Sequence, residues 1–543
     1  MPVQFPEPQH ATVPAPQHGP LPGLWVAAFL FLFLNCVYLL TSTGKARSID
    51  EIDPVLQSES ILLRHMAAIP QAVNSGIYFG KIDRHGVPRS AWPAGHALMV
   101  LPWSAVGHWV LAPSPGIPRA ISDLAISTAV CWSNATFAAL AVAAFFLICL
   151  KIADIRSAMI GSLVLAFATP LFVYSGWLFS EPASTALFVL AALTLFGTGA
   201  PVSTSRALLG ALLLGFSIHV RPANLVTVLV FVLASIVADY SRREAGRGYR
   251  TAAILVAVVA ISGGIYLARN YAWFGNPWDF GVPATAENGK DIESWHNPFW
   301  RGIAGFLFSP GKSLILFCPP AILGVIGLPR LGRSNRALAV LAGAAPVANL
   351  VLYSFRTQWE GSYCYGPRYL LPSLVLLCLP VAVLLHDPPQ QAKIGLPPQQ
   401  TKIGLAGDPG LAGDHDAPRW LRPLVGGTFI AGFLIQVIGL SVNVLEDMVR
   451  HHYYNAHWDY QLAYSPIPGQ LRLIWKYLHV RPAGIGLGWD RWFVMLRTGG
   501  ASPSLVTAVT SLFFAGALAF GLLTWKAFSG QQSAISRKAA GLS

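Results

Sequence analysis

"GLWVAAFLFLFLNCVYLLTST" (Gly23–Thr43) runs for 21 residues without a charge. A helix of that length crosses the roughly 30 Å hydrocarbon layer of a bilayer. The same texture recurs along the chain. Of 543 residues, 54% are hydrophobic and only 11% are charged, against about a quarter charged in an ordinary soluble chain. The fold class expected is therefore an all-α polytopic membrane protein. Spans are placed near 23–43, 126–150, 157–176, 182–199, 206–220, 222–238, 251–268, 312–328, 337–355, 371–386, 423–442 and 505–526, about twelve in all.

Charge orients this arrangement. "KIADIR" (Lys151–Arg156), "DYSRREAGRGYR" (Asp239–Arg250), "PRLGRSNR" (Pro329–Arg336) and the tail with Lys526, Arg537 and Lys538 fall on one side. Basic short loops stay cytoplasmic, so both termini are expected inside and 44–122, 269–311, 356–370 and 443–504 outside. The net charge of +13 sits in loops between spans. That pattern suits topology signals and lipid headgroups, and argues against a nucleic-acid partner. The tail before Lys45 lacks the basic start of a signal peptide, so the first span is expected to be retained. Six cysteines show no CxxC spacing and no disulfide framework.

Five segments follow from this: a cytoplasmic tail (1–22), a transmembrane core (23–386), a linker (387–422), a C-terminal transmembrane pair with an outer loop (423–526), and a second tail (527–543). The linker carries "PPQQAKIGL" followed by "PPQQTKIGL", a repeat whose Pro, Gln and Gly suit an unstructured tether. Within the first outer loop, "WPAGHALMVLPWSAVGHWVLA" (Trp92–Ala112) is apolar but holds prolines, histidines and tryptophans. It is read as a helix lying at the interface.

Just past the first span, "SIDEIDP" (Ser48–Pro54) puts three acids in seven residues. Asp53 before Pro54 reads as an N-cap, with proline opening the helix. The rival is a capping box of Ser48 with Glu51, which places Pro54 inside the helix at a cost. Asp50 and Glu51 are left without a structural task.

This stretch resembles the GT-C superfamily of membrane glycosyltransferases, which includes protein O-mannosyltransferases and lipid A aminoarabinose transferases. The likeness continues in "RSAWPAGHALMVLP", "HVRPAN", "RNYAWFGNPWDFG" (Arg269–Gly281), "GFLFSPGKSLILFCPP" (Gly305–Pro320) and "WEGSYCYGPRYLLP" (Trp359–Pro372), across about residues 23–386. It implies transfer of a sugar from a polyprenyl-phosphate donor to a lipid, glycan or protein acceptor. The reaction would take place on the outer face of a plasma (bacterial inner) membrane. It also implies Asp50 as base with Glu51 beside it. Ala91-Trp92-Pro93 stands where relatives often carry a lysine or acid-lysine, and Arg89 is its candidate substitute.

Arg221 lies between two apolar segments, where an arginine either snorkels or grips a phosphate with its planar fork. The resemblance favours the phosphate. Arg368 and Arg269, at outer span ends, suit phosphate binding and helix anchoring equally, and Tyr369 accompanies Arg368. Lys312 in "SPGKS" lacks P-loop spacing. Some GT-C members use a divalent ion. His96 and His296 are the weak candidates for holding one, since no two histidines flank an acid at helical spacing. Trp295, Trp300 and Trp359 read as interfacial anchors. A secondary transporter would place ionisable groups near the midplane in repeated halves, and these spans show neither. A polymerase or ligase of lipid-linked glycans is the other alternative, lacking the first-loop acid pair.

Overall fold

The computed structural model describes residues 22–74, 76–112, 119–197, 202–241, 249–282, 286–287, 290–291, 295–386, 420–450, 458–480, 489 and 491–539. The repeat of the linker lies outside the described residues. The protein is helical, with two small antiparallel hairpins (Gly80–Ile82 with Pro88–Ser90, and Ala286–Glu287 with Lys290–Asp291).

Among the described residues, seven helices are long and apolar enough to cross a membrane, judged by length and composition. Others of the expected spans are helical but shorter or broken. Ile155–Ala168, Glu181–Phe196 and Thr204–Val220 are short. The 312–328 segment divides into Leu314–Phe317 and Ala321–Ser334 around Pro319 and Pro320. A count of twelve is therefore not established.

Burial ranks the helices. The apolar stretch of Ile121–Cys149 is 78% buried, whereas that of Pro503–Ser533 is 6% buried. The first is the central post and the second faces outward, packed along the Pro22–Thr41 helix. Around the post close Pro22–Thr41, Ile155–Ala168 and Glu181–Phe196. Their shared core includes Tyr38, Phe145, Phe146, Tyr174 and Phe188.

Two features bear on the outer face. The 92–112 segment forms a helix, Ala94–Val106, continued by a π-turn, Gly107–Leu111, and packs on Ile49–Arg64. The 443–504 region is tied down at both ends. Gln470 donates to the carbonyls of Gly439 (3.0 Å) and Val442 (2.9 Å). Trp492, fully buried, donates its ring N–H to Leu39 (2.8 Å) and its backbone N–H to Ser42 (3.2 Å). This segment thus grips the Leu39–Ser42 end of the first span.

Candidate functional site

The acid-bearing helix runs Ile49–Arg64 and starts one turn earlier than a proline-led start would give. Ser48 is its N-cap, Glu51 closes the capping box, and Pro54 lies inside. Asp53 is therefore no cap, a correction to the expected start. Pro54 is the sixth residue of this helix, so it forfeits the bond its N–H would have made to the Asp50 carbonyl and crowds that carbonyl with its ring. The box and the buried face outweigh it.

The three acids separate by environment. Glu51 is 1% exposed. Its Oε2 accepts the backbone N–H groups of Arg47 (3.1 Å) and Ser48 (3.2 Å), and its Oε1 accepts that of Leu178 (3.1 Å). Burial pushes its carboxyl up, against the pull of the Arg47 charge and these donors. With both oxygens on main-chain donors, Glu51 holds the helix start against the 175–180 turn. Asp53 is also buried, bonded to Gln57, with Oδ1 unpartnered. Burial drives its pKa up to about 7. Asp50 alone has a side chain partly open to solvent, 28% exposed.

Asp50 meets a cluster assembled from the ends of three other segments. Arg368 Nη2 lies 2.5 Å from Asp50 Oδ2, and Arg368 Nε lies 3.7 Å from Glu181 Oε1. Arg221 Nη1 reaches the same Glu181 oxygen at 2.5 Å. Tyr369 supplies the floor. Its ring stacks on Tyr353 at 4.4 Å, and the guanidiniums of Arg221, Arg368 and Arg356 lie over it at 4.6, 4.9 and 5.1 Å. Two carboxylates thus face two arginines over an aromatic plate.

Local chemistry places each member. Arg221 follows the Thr204–Val220 helix with an extended backbone. Asn224 clips this turn to the Glu181 helix, donating to Ser217 O (2.8 Å) and Ser184 Oγ (3.0 Å). Before Arg368, Gly361 and Gly366 take left-handed φ of 78° and 59°. A Cβ on Gly361 would press on Cys364 Sγ and the Arg368 side chain, so glycine serves both backbone and packing there. Lys312, fully buried, donates from Nζ to the carbonyls of Ser362 (3.1 Å) and Cys364 (2.7 Å). An ammonium with three donors suits such a carbonyl cradle.

Solved structures similar to this chain include two of ArnT from Cupriavidus metallidurans. One, bound to undecaprenyl phosphate, shares 14% identity with a TM-score of 0.41, covering 94% of this chain and 78% of that one. The other, in the apo state, shares 13% identity with a TM-score of 0.43, covering 94% and 77%. No family model matches the chain. No curated protein matches it either.

The remaining expected residues lie apart from the arginine–carboxylate cluster. Arg89 donates to Asp83 Oδ2 (2.9 Å) and Ala67 O (2.7 Å), and stacks at 4.3 Å on Trp273. It braces the first hairpin. Arg269 lies between Tyr266 (4.2 Å) and Trp273 (4.7 Å), so Trp273 carries two guanidiniums. His96 is buried, with its pKa lowered to about 4 by desolvation and Nε2 unpartnered. His296 is exposed. Among the described residues no three His, Cys, Asp or Glu side chains gather as a metal site, so these two histidines do not join Asp50 in one. Trp359 is 2% exposed and packs edge-on to Phe306. It is a core residue, where an anchor was expected, because Gly305 leaves room for its ring. Trp295 and Trp300 are exposed, as anchors would be.

Glu181 and Lys312 were not identified as site residues from sequence. A usable signal existed for the first: an acid beginning an otherwise uncharged buried helix, next to a proline, must be paired.

Proposed function

We propose that this chain is an integral-membrane glycosyltransferase that moves a sugar from a polyprenyl-phosphate donor to an envelope acceptor (lipid, glycan or protein). The transfer occurs at the outer face of the plasma (bacterial inner) membrane, with both termini cytoplasmic. One observation carries the reading. A partly exposed carboxylate, Asp50, meets Arg368, which shares Glu181 with Arg221 at helix ends, with apolar helices beneath. Transfer from a lipid phosphate needs a base for the acceptor hydroxyl and a cation for the departing phosphate, both held in place. Asp50 takes the proton as the acceptor oxygen bonds the anomeric carbon. The bond from that carbon to the phosphate oxygen breaks, and its electron pair leaves on the phosphate, met by Arg221 and Arg368. One displacement inverts the anomeric centre. Glu51 positions the helix that carries Asp50, while Arg269 and Arg89 line the neighbouring stretch of the outer surface. The cluster at helix ends also separates this reading from a transporter, whose charges concentrate at mid-bilayer.

The test is transfer by purified protein from a polyprenyl-phosphate sugar. Asp50→Asn should lower turnover about 10²–10⁴-fold, the usual loss of a general base. Turnover at the wild-type rate in that variant would refute the assignment.

A further inference from the structure

The cluster as it stands leaves one conflict for the step just described: Asp50 occupies a guanidinium that the departing phosphate needs. In a direct displacement the attacking and departing oxygens lie on opposite sides of the anomeric carbon, the attacker about 3–3.5 Å away before reaction. The base must reach the first and the phosphate's cation the second. Asp50 and Arg368 are instead joined at 2.5 Å. The Arg368 nitrogen that holds Asp50 Oδ2 is one the departing phosphate needs, while Asp50 Oδ1 is the oxygen left for a hydroxyl. The two carboxylates are not equally free to leave. Glu181 is 2% exposed, and its Oε1 serves both arginines. Asp50 is 28% exposed and reaches Arg368 alone among the described cations.

Resting on the transferase reading above, we infer that the donor's phosphate takes the place of Asp50 on Arg368, and that this exchange turns Asp50 toward the acceptor. Asp50 is thus a stand-in for the phosphate in the free protein, while Glu181 stays on the guanidiniums. The exchange is neutral in kind, one anion for another on a planar fork that suits either. It also releases Asp50 Oδ2 from Arg368 when a polyprenyl phosphate binds, so that both carboxylate oxygens can turn to the acceptor.

The experiment is equilibrium binding of a sugar-free polyprenyl monophosphate to the purified full chain in detergent, as a double-mutant cycle. Asp50→Asn removes the competing anion and should tighten binding on the order of tenfold, the equivalent of about one pKa unit of charge interaction. Arg368→Gln should weaken binding, and Asp50→Asn added to it should then change little. Unchanged or weaker binding by Asp50→Asn overturns the exchange. Equal tightening in both backgrounds also overturns it, since that is plain charge repulsion without Arg368. Asp50→Ser and Arg368→Met repeat the cycle if either first variant fails to purify as a folded species. Transfer assayed beside binding separates the two ideas: an inactive Asp50→Asn with unchanged affinity removes the exchange and leaves the base in place. An active Asp50→Asn removes the transferase assignment.

Discussion

Replacing Arg221 by methionine keeps a long apolar stem and deletes the charge that meets Glu181 at 2.5 Å. The two side chains are 15% and 2% exposed, so the carboxylate left behind cannot turn to water. Stranding one member of a buried pair costs about 3–5 kcal/mol. Glu181 keeps Arg368 at 3.7 Å, which places Arg221→Met at the low end, about 3 kcal/mol. Glu181→Gln costs less, about 2 kcal/mol, because Arg221 retains the faces of Tyr353 and Tyr369. The double variant strands no charge, so its loss should be about 3 kcal/mol and not about 5, a coupling of about 2 kcal/mol. Unfolding in mixed micelles titrated with SDS measures it. Binding should behave differently. If Arg221 grips the carrier phosphate, affinity for a polyprenyl monophosphate falls roughly ten- to a hundred-fold in Arg221→Met. It should not recover in the double variant. Losses additive within about 0.5 kcal/mol would refute the shared-carboxylate account, and wild-type affinity would leave Arg221 a snorkelling anchor.

Two further outcomes are expected. Asp53, with its pKa raised to about 7 by burial, holds its proton in the folded state over a range where an unfolded carboxyl, near pKa 3.9, has lost it. Stability should therefore fall as pH rises from about 4 to 7 and level off above. Asp53→Asn should lose that slope and be the more stable protein at pH 8; thermal unfolding of both across pH 4–8 decides, and equal slopes would refute it. Topology follows from the basic loops: a reporter placed within 239–250 should read cytoplasmic and one within 283–294 external, and both on one side would sink an outer site.

Membrane class and helical content were legible in the sequence because burying a backbone in lipid leaves helices as almost the only solution for apolar runs. Asp50 and Arg368 were legible because charged groups at span ends are few. What stayed hidden depends on distant partners. Glu51 showed no structural partner in the sequence, and the structure supplies one in Leu178, 127 positions away. Asp53 looked like a cap because proline penalties are local, whereas the burial that overrides them is tertiary. Arg269 was named for its place at a span end and Arg89 as a substitute for a lysine of the resembled family; Trp273, packed between them, draws them into a cluster of their own.

The grip of Trp492 on Leu39 and Ser42, with the Pro503–Ala539 helix lying along the first span, has a consequence for biogenesis. A ribosome delivers the Asp50 segment first and its clamp last. Through nearly the whole of synthesis the acid helix hangs from a span whose outer end lacks its partner. An assembly intermediate holding only the first four hundred residues would have both arginines and both acids, with Gly44 already held by Thr128 Oγ1 (2.8 Å) and Thr43 by the Gly176 carbonyl (3.2 Å). The restraint still missing would be the one that Trp492 places on Leu39 and Ser42.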